Sequence, residues 1–270
     1  SMFMATRPYD VVVYLSDGSI PLLGGRVNLL HMQVPFHNVN GSNWKNKLKL
    51  KTIHRVIVNS NFTKKIVDSE YGIDSFVLYP PVSSNNKVGA KEKIILSVGR
   101  FEPSLNVKKQ DVLITAFKKI SSTLSDWKLV LVGGSTEDSW IKELNNQAAG
   151  YNIDILPNVD STTLVDLYGK ASIYWHAAGY GVDEARSPEL VEHFGISTVE
   201  AIAARAIPLV YRAGGQTEIV KHDDLLWETI DELVNKTINL TNQSFNDYES
   251  VLKIDSFSEE AFKNTLKTLL

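Results

Sequence analysis

Beyond residue 90 the chain repeats one pattern, a short apolar run followed by a longer amphipathic stretch. Ile94–Val98, Lys128–Val132, Ile153–Leu156, Ala171–Trp175 and Ile207–Tyr211 read as strands, and Gln110–Ile120, Asp138–Ala149, Ser161–Tyr168 and Ser197–Ala204 read as the helices between them. Strands that alternate with helical patterns build βαβ units around a parallel sheet with helices on its faces. The pattern therefore confines residues 91 to 270 to a doubly wound, Rossmann-like α/β domain, with a terminal helix over Ala261–Leu270 capped by Ser258. The earlier segment is also α/β: Asp10–Leu15, Arg26–Met32 and Val56–Asn59 read as strands, and Trp44–Ile53 and Phe62–Tyr71 as helices. That is too few strands for a complete Rossmann-like domain, for which about six is usual.

Charge supports the same division. Residues 1 to 90 hold 10 Lys+Arg against 5 Asp+Glu, and residues 91 to 270 hold 18 against 26, so the parts carry +5 and −8. The turn-rich stretch Pro80-Pro81-Val82-Ser83-Ser84-Asn85-Asn86 lies where the composition changes, and it divides a partial first domain, residues 1–88, from a second, residues 89–270. The basic first part offers peripheral contact to an anionic surface such as a membrane. Lys45, Lys47, Lys49 and Lys51, however, alternate at a spacing of two, which on a helix scatters them over opposing faces, and a solvated surface is the stronger reading. The negative total and the lack of a recognised motif argue against nucleic acid. With no cysteine, disulfides and thiolate chemistry are excluded, and no apolar run approaches the roughly 20 residues that cross a bilayer. The expected location is cytoplasmic, including the inner face of the membrane.

Two constellations carry chemistry. Glu192-His193-Phe194-Gly195-Ile196-Ser197-Thr198-Val199-Glu200 places two carboxylates around a glycine turn at a predicted helix start. Ser197-Thr198-Val199-Glu200 by itself reads as a capping box. A capping box has no use for the second carboxylate at Glu192, and Gly195 leaves backbone amides open to a ligand. Ile94–Val98 runs into Gly99-Arg100, followed by Lys108-Lys109-Gln110-Asp111, so Arg100 sits at the carboxyl end of a strand, where open α/β sheets bind ligands. Such cations, with a helix N-terminus, can neutralise a diphosphate without a metal. No Asp-x-Asp triplet for a divalent cation occurs in the chain. His176 follows a strand, where a hydrogen-bonded core histidine competes with a site-lining one.

Glu192 to Glu200, with Gly214-Gly215-Gln216-Thr217-Glu218-Ile219-Val220, Ser97-Val98-Gly99-Arg100-Phe101 and Lys108-Lys109-Gln110-Asp111, resembles the retaining GT-B glycosyltransferases of family four, the glycosyl transferases group 1. Trp175-His176-Ala177-Ala178-Gly179-Tyr180-Gly181 is similar to one bacterial branch, and Asn59-Ser60-Asn61-Phe62-Thr63 and Tyr79-Pro80-Pro81-Val82 resemble the end of the family's first domain. The resemblance implies a UDP- or GDP-type nucleotide sugar as donor, a glycan, lipid or small molecule as acceptor, and no metal or other cofactor. It implies that Arg100 and Lys108 bind the diphosphate, Lys109 competing with Lys108. Glu200 would bind the ribose and Glu192 a sugar hydroxyl. Amides at Phe194, Gly195 and Ile196 would meet the sugar, those at Ser197 and Thr198 the phosphate, and Pro157 and Asn158 the base, with His176 lining the site. The implied reaction is front-face transfer with retention, in which Glu192, Arg100 and Lys108 serve catalysis.

The family's first strand and Gly-rich turn are not found ahead of Asp10, and Gly24-Gly25 precedes a strand rather than opening a helix. The expectation is a truncated acceptor-side domain. A nucleotide-sugar-binding module without catalysis, or a fragment needing a partner chain, is the alternative. An unrelated doubly wound protein would set Arg100, Lys108 and Glu200 facing apart.

Overall fold

A computed structural model describes residues 1–83, 88–104 and 107–270. Ser84, Asn85 and Asn86 of the expected boundary lie outside the described residues. The first part contains α1 (Met2–Thr6), β1 (Val11–Ser16), β2 (Val27–Met32), α2 (Trp44–Leu50), β3 (Arg55–Val58), α3 (Asn61–Tyr71) and β4 (Phe76–Val77). Its sheet is parallel in the order β1-β2-β3-β4.

The second part contains β5 (Glu92–Val98), α4 (Gln110–Ile120), β6 (Lys128–Gly133), α5 (Asp138–Ala148), β7 (Ile153–Pro157), α6 (Ser161–Lys170), β8 (Ala171–His176), α7 (Ile196–Ala203), β9 (Ile207–Tyr211), α8 (Gln216–Ile219), β10 (Leu226–Trp227), α9 (Ile230–Leu240) and α10 (Glu259–Leu269). Its six strands pair in parallel in the order β10-β9-β8-β5-β6-β7. Chain order reverses direction at β5, between β6 and β8, which opens a crevice at the carboxyl ends of these strands.

The apolar runs are buried because helices cover both faces of this sheet. Ile95 and Leu96 point to opposite faces of β5 and both are fully buried, in two separate clusters. In α4 the buried Leu113, Ile114, Phe117 and Ile120 recur at helical spacing and seal one of those faces.

The terminal helix forms as expected, with the Ser258 hydroxyl accepting the Ala261 N–H at 3.2 Å. It does not lie on the second sheet. Phe262, Leu266 and Leu269 pack on Leu29, Ile57 and Leu78 of the first sheet. The chain thus crosses between the two sheets twice, and the crossings touch, Val82 N–H donating to the Phe257 carbonyl at 2.8 Å. Beside them Tyr79, Phe194 and Phe257 pack together with centroids 5.0–5.6 Å apart, Phe257 edge-on to the other two rings. Glu218 of α8 adds a polar tie: its carboxylate accepts the N–H groups of Asn61 and Phe62 at 2.9 and 2.7 Å, the Asn61 amide at 2.9 Å and the Tyr79 hydroxyl at 2.9 Å. A carboxylate over the first turn of α3 also complements the helix dipole.

Candidate active site

The carboxyl ends of both sheets enclose a cleft of about 910 Å³. Gln33, Val34, Asn59 and Pro80 form the first-sheet wall, and Val98-Gly99-Arg100, Gly133-Gly134, Lys108 and the 192–197 loop form the other. The strand ends of the second wall approach closely enough to need glycine. A Cβ on Gly133 would stand 2.0 Å from the Gly99 carbonyl oxygen. Arg100 is exposed at the edge of the cleft.

Glu192 is the centre of the polar cluster. Lys108 Nζ is paired with its Oε2, and His176 Nε2 stands 3.0 Å from the same oxygen. The side chains of Glu192, Lys108 and His176 are 17%, 25% and 2% exposed. His176 Nδ1 accepts the Ala178 N–H at 3.2 Å and faces the Gln216 amide nitrogen, so the ring proton belongs on Nε2, the nitrogen nearer Glu192. Burial alone pushes the Glu192 carboxyl up, but the Lys108 ammonium and the His176 contact outweigh it and hold it well below the usual range. Burial lowers the His176 pKa. At neutral pH Glu192 is therefore a carboxylate and His176 a neutral imidazole.

Helix α7 begins differently from the expected capping box. Gly195, at φ 116°, is its N-cap, and no side chain caps the helix. A positive φ there costs glycine little. Ser197 is already inside the first turn, and its Oγ accepts the Tyr174 hydroxyl at 2.8 Å. Glu200 accepts the Tyr168 hydroxyl at 2.8 Å. Both groups that would have formed the box are thus held by tyrosines from the neighbouring α6 and β8. Without a side-chain cap, Ile196 and Ser197 at the helix start line the cleft and offer their amides as an anion-binding edge. Burial raises the Glu200 pKa, and the Tyr168 hydroxyl opposes that rise. A carboxyl raised by folding gives most stability below its unfolded pKa and loses it as pH climbs through the folded one. Tyr168→Phe is expected to cost about 1 kcal/mol and to steepen the loss of stability with rising pH, read from urea midpoints across the acid to neutral range. Identical pH slopes for the two proteins would show that this hydroxyl does not hold Glu200.

Arg100, Lys108, Asn158, Glu192, Phe194, Gly195, Ile196, Ser197 and Glu200 all line the one cleft, which answers the reading in which the basic and acidic groups face apart. Three other expected contacts are placed elsewhere. His176 is buried behind Glu192 and serves it rather than lining the cleft. Pro157 is exposed at the end of β7, outside the lining. Thr198 is fully buried, its hydroxyl donating to Gln216 Oε1 at 2.5 Å and its N–H to the Gly195 carbonyl at 3.0 Å, so this amide is not free for a phosphate. Lys109 takes the N-cap position of α4 in left-handed backbone, and Lys108 alone of the pair reaches the cleft. Asn158 clamps Ser135 through both backbone atoms, at 2.9 and 3.0 Å.

The sequence reading missed Tyr168, Tyr174 and Gln216, which hold Glu200, Ser197, Thr198 and His176 in place. Tyr168 and Tyr174 are buried, and a buried tyrosine hydroxyl requires a partner; that was the available signal. It missed the first-sheet wall as well. Among the described residues no group of three or more His, Asp or Glu side chains is arranged to hold a metal ion.

A family model described as Glycosyl transferases group 1 matches residues 82–253. The protein of Dictyostelium discoideum named GDP-Man:Man(3)GlcNAc(2)-PP-Dol alpha-1,2-mannosyltransferase is 30% identical over 203 residues, 66% of this chain and 38% of that protein. An uncharacterised glycosyltransferase of Methanocaldococcus jannaschii is 32% identical over 133 residues, 49% of this chain and 30% of that one. A mutant of S. aureus TarM, solved with fondaparinux, alpha-GlcNAc-glycerol and UDP, superposes with a TM-score of 0.68 at 16% identity over 90% of this chain and 50% of its own. At that identity the likeness carries the fold alone, a Rossmann-like GT-B architecture. The chain spans well under half the length of the Dictyostelium relative, 38%. With the family model matched across the whole second sheet and the motif residues gathered on one cleft, the chain belongs to the glycosyl transferases group 1 family.

Proposed function

We propose that the cleft binds a nucleoside-diphosphate sugar and that the sugar passes to an acceptor hydroxyl with retention, without a metal. The observation that carries this reading is the joint placement of Arg100, Lys108, Glu192 and the uncapped start of α7 on one wall. Arg100, Lys108 and the amides of Ile196 and Ser197 face the diphosphate. Lys108 has three N–H donors, so it can keep Glu192 while engaging a phosphate oxygen. Glu192, ionised and acceptor-only, takes a sugar hydroxyl, and Glu200 takes the ribose. In the transfer, the bond from the anomeric carbon to the phosphate oxygen breaks, and its electron pair leaves with the diphosphate. The acceptor oxygen bonds to the same face of that carbon and gives its proton to the departing phosphate. Charge placed in advance around a leaving group is often the largest catalytic term.

GDP-mannose is the first donor to test, because the Dictyostelium relative's name carries GDP-Man; UDP and ADP sugars complete the panel. Arg100→Ala is expected to weaken nucleotide binding by about 10- to 150-fold, the equivalent of roughly 1.5–3 kcal/mol for a charge-assisted bond, as measured by calorimetry with GDP and UDP. Unchanged affinity for the nucleotide that binds the parent protein would remove Arg100 from the site. Donor binding without release of nucleotide from any nucleotide sugar, with or without glycan acceptors, would favour the binding-module reading.

A further inference from the structure

The lysines at 45, 47, 49 and 51 read by themselves as a scattered, solvated set. Helix α2 changes that reading through the residues it exposes between them. Trp44 is 68% and Leu48 51% exposed, and four residues apart they share one face. Lys47 and Lys51 run along one side of this pair and Lys45 along the other, its Nζ 5.7 Å from the centroid of the Trp44 ring. Lys49 lies furthest round and is half-buried, while Leu50 turns inward to the first-sheet core. No carboxylate pairs with any of the four lysines among the described residues.

We propose that α2 docks the protein on a bilayer carrying anionic lipid, with Trp44 and Leu48 entering the headgroup region and Lys45, Lys47 and Lys51 meeting the lipid phosphates. The chemistry fits a membrane rather than a protein groove. Tryptophan prefers the bilayer interface, where its apolar ring and polar N–H are both satisfied. Lysine stems can lie along apolar surface while the ammonium groups reach the headgroups. The charge also matches, since the first part of the chain is +5 over residues 1 to 90 and the rest −8, so an anionic surface attracts one side of the molecule and repels the other. The docking helix is reached directly from the cleft wall, because the segment that leaves Gln33 and Val34 runs into α2. Where the cleft carries out the proposed transfer, that arrangement favours an acceptor anchored in the bilayer.

The test uses the full chain and vesicles of phosphatidylcholine, alone or with about 30 mol% phosphatidylglycerol. The protein is expected to sediment with the anionic vesicles and to be released as salt rises. Trp44 is the one strongly exposed tryptophan, Trp127, Trp175 and Trp227 being buried and Trp140 half-buried, so quenching by brominated lipid reports its insertion. Trp44→Ala, and separately Lys45→Glu with Lys47→Glu, are expected to lower partitioning about tenfold or more, with circular dichroism unchanged. Three results would overturn the proposal: parent protein left in the supernatant with anionic vesicles, Trp44→Ala binding as tightly as the parent, or retention on heparin without vesicle binding. None of these outcomes depends on nucleotide binding, so failure here is distinguishable from failure of the donor site.

Discussion

Glu192→Gln is expected to lower nucleotide-sugar turnover by roughly 10²–10³-fold, the scale seen when one preorganised polar group is removed from an active site. The substitution keeps the shape and removes the charge. Lys108 then loses its counter-ion, and the amide must offer an N–H group beside the Lys108 ammonium and close to His176 Nε2. Because the pair is part-buried, the stability cost is set at about 1–3 kcal/mol, below the value for a fully buried pair. The pH signature is specific. Glu192 is depressed in the fold, so its contribution is present above the unfolded carboxylate value, about 4.3, and is lost as pH falls further. The variant should show a shallower loss of thermal stability on acidification than the parent. Parallel acid limbs in the two proteins would show that Glu192 is not held in this way. Parent-like turnover, followed as GDP release from GDP-mannose, would remove it from the reaction.

Gly215→Ala is expected to destabilise the protein by about 1–3 kcal/mol, the usual cost of forced overpacking, and to lower its Tm by roughly 3–10 °C. The reason is unusually clean. Gly215 has an ordinary helical backbone, φ −67° and ψ −14°, so conformational strain plays no part. Its added Cβ, however, would stand 2.1 Å from the His193 carbonyl oxygen and 2.8 Å from Phe194 Cα. These are backbone atoms, and no rotamer change relieves the clash. The Gly215 N–H donates to the Glu192 carbonyl at 2.8 Å, so the loop that presents Glu192 must move, and donor affinity should fall with stability. A thermal shift assay with and without GDP reads both. Gly214→Ala combines a Cβ contact of 2.2 Å to the Glu192 carbonyl oxygen with a φ of 62°, so it should be at least as severe but less easily interpreted.

The architecture of the second sheet was legible because its signals are long and repeated. Gln110–Ile120 and Ile207–Tyr211 lie where periodicity places them, and the other strands differ only at their ends. The two-residue strands β4 and β10 were not legible, since such lengths carry no periodicity. The motif residues of the second-sheet wall were legible as a set, while their supports were not. Ser197-Thr198-Val199-Glu200 has the letters of a capping box, yet Tyr174 and Tyr168 claim its two side chains from elements more than 20 residues away. His176 was misplaced for a related reason: one ring nitrogen is committed to Ala178 and Gln216, and local sequence does not reveal the latter. The first-sheet wall was hidden because Gln33 and Asn59 acquire meaning only when β2 and β3 set their carboxyl ends side by side.

The return of the chain to the first sheet has a mechanical consequence. Two covalent strands join the halves, and they run past one another at Val82 and Phe257, joined there by a hydrogen bond. Linkers that meet at one point hinder sliding of the halves more than they hinder rotation about a line through that contact. The Tyr79–Phe194–Phe257 cluster sits beside this joint, and Phe194 belongs to the loop that carries Glu192. A ligand that meets this loop therefore presses next to the joint rather than at the far rim of the cleft.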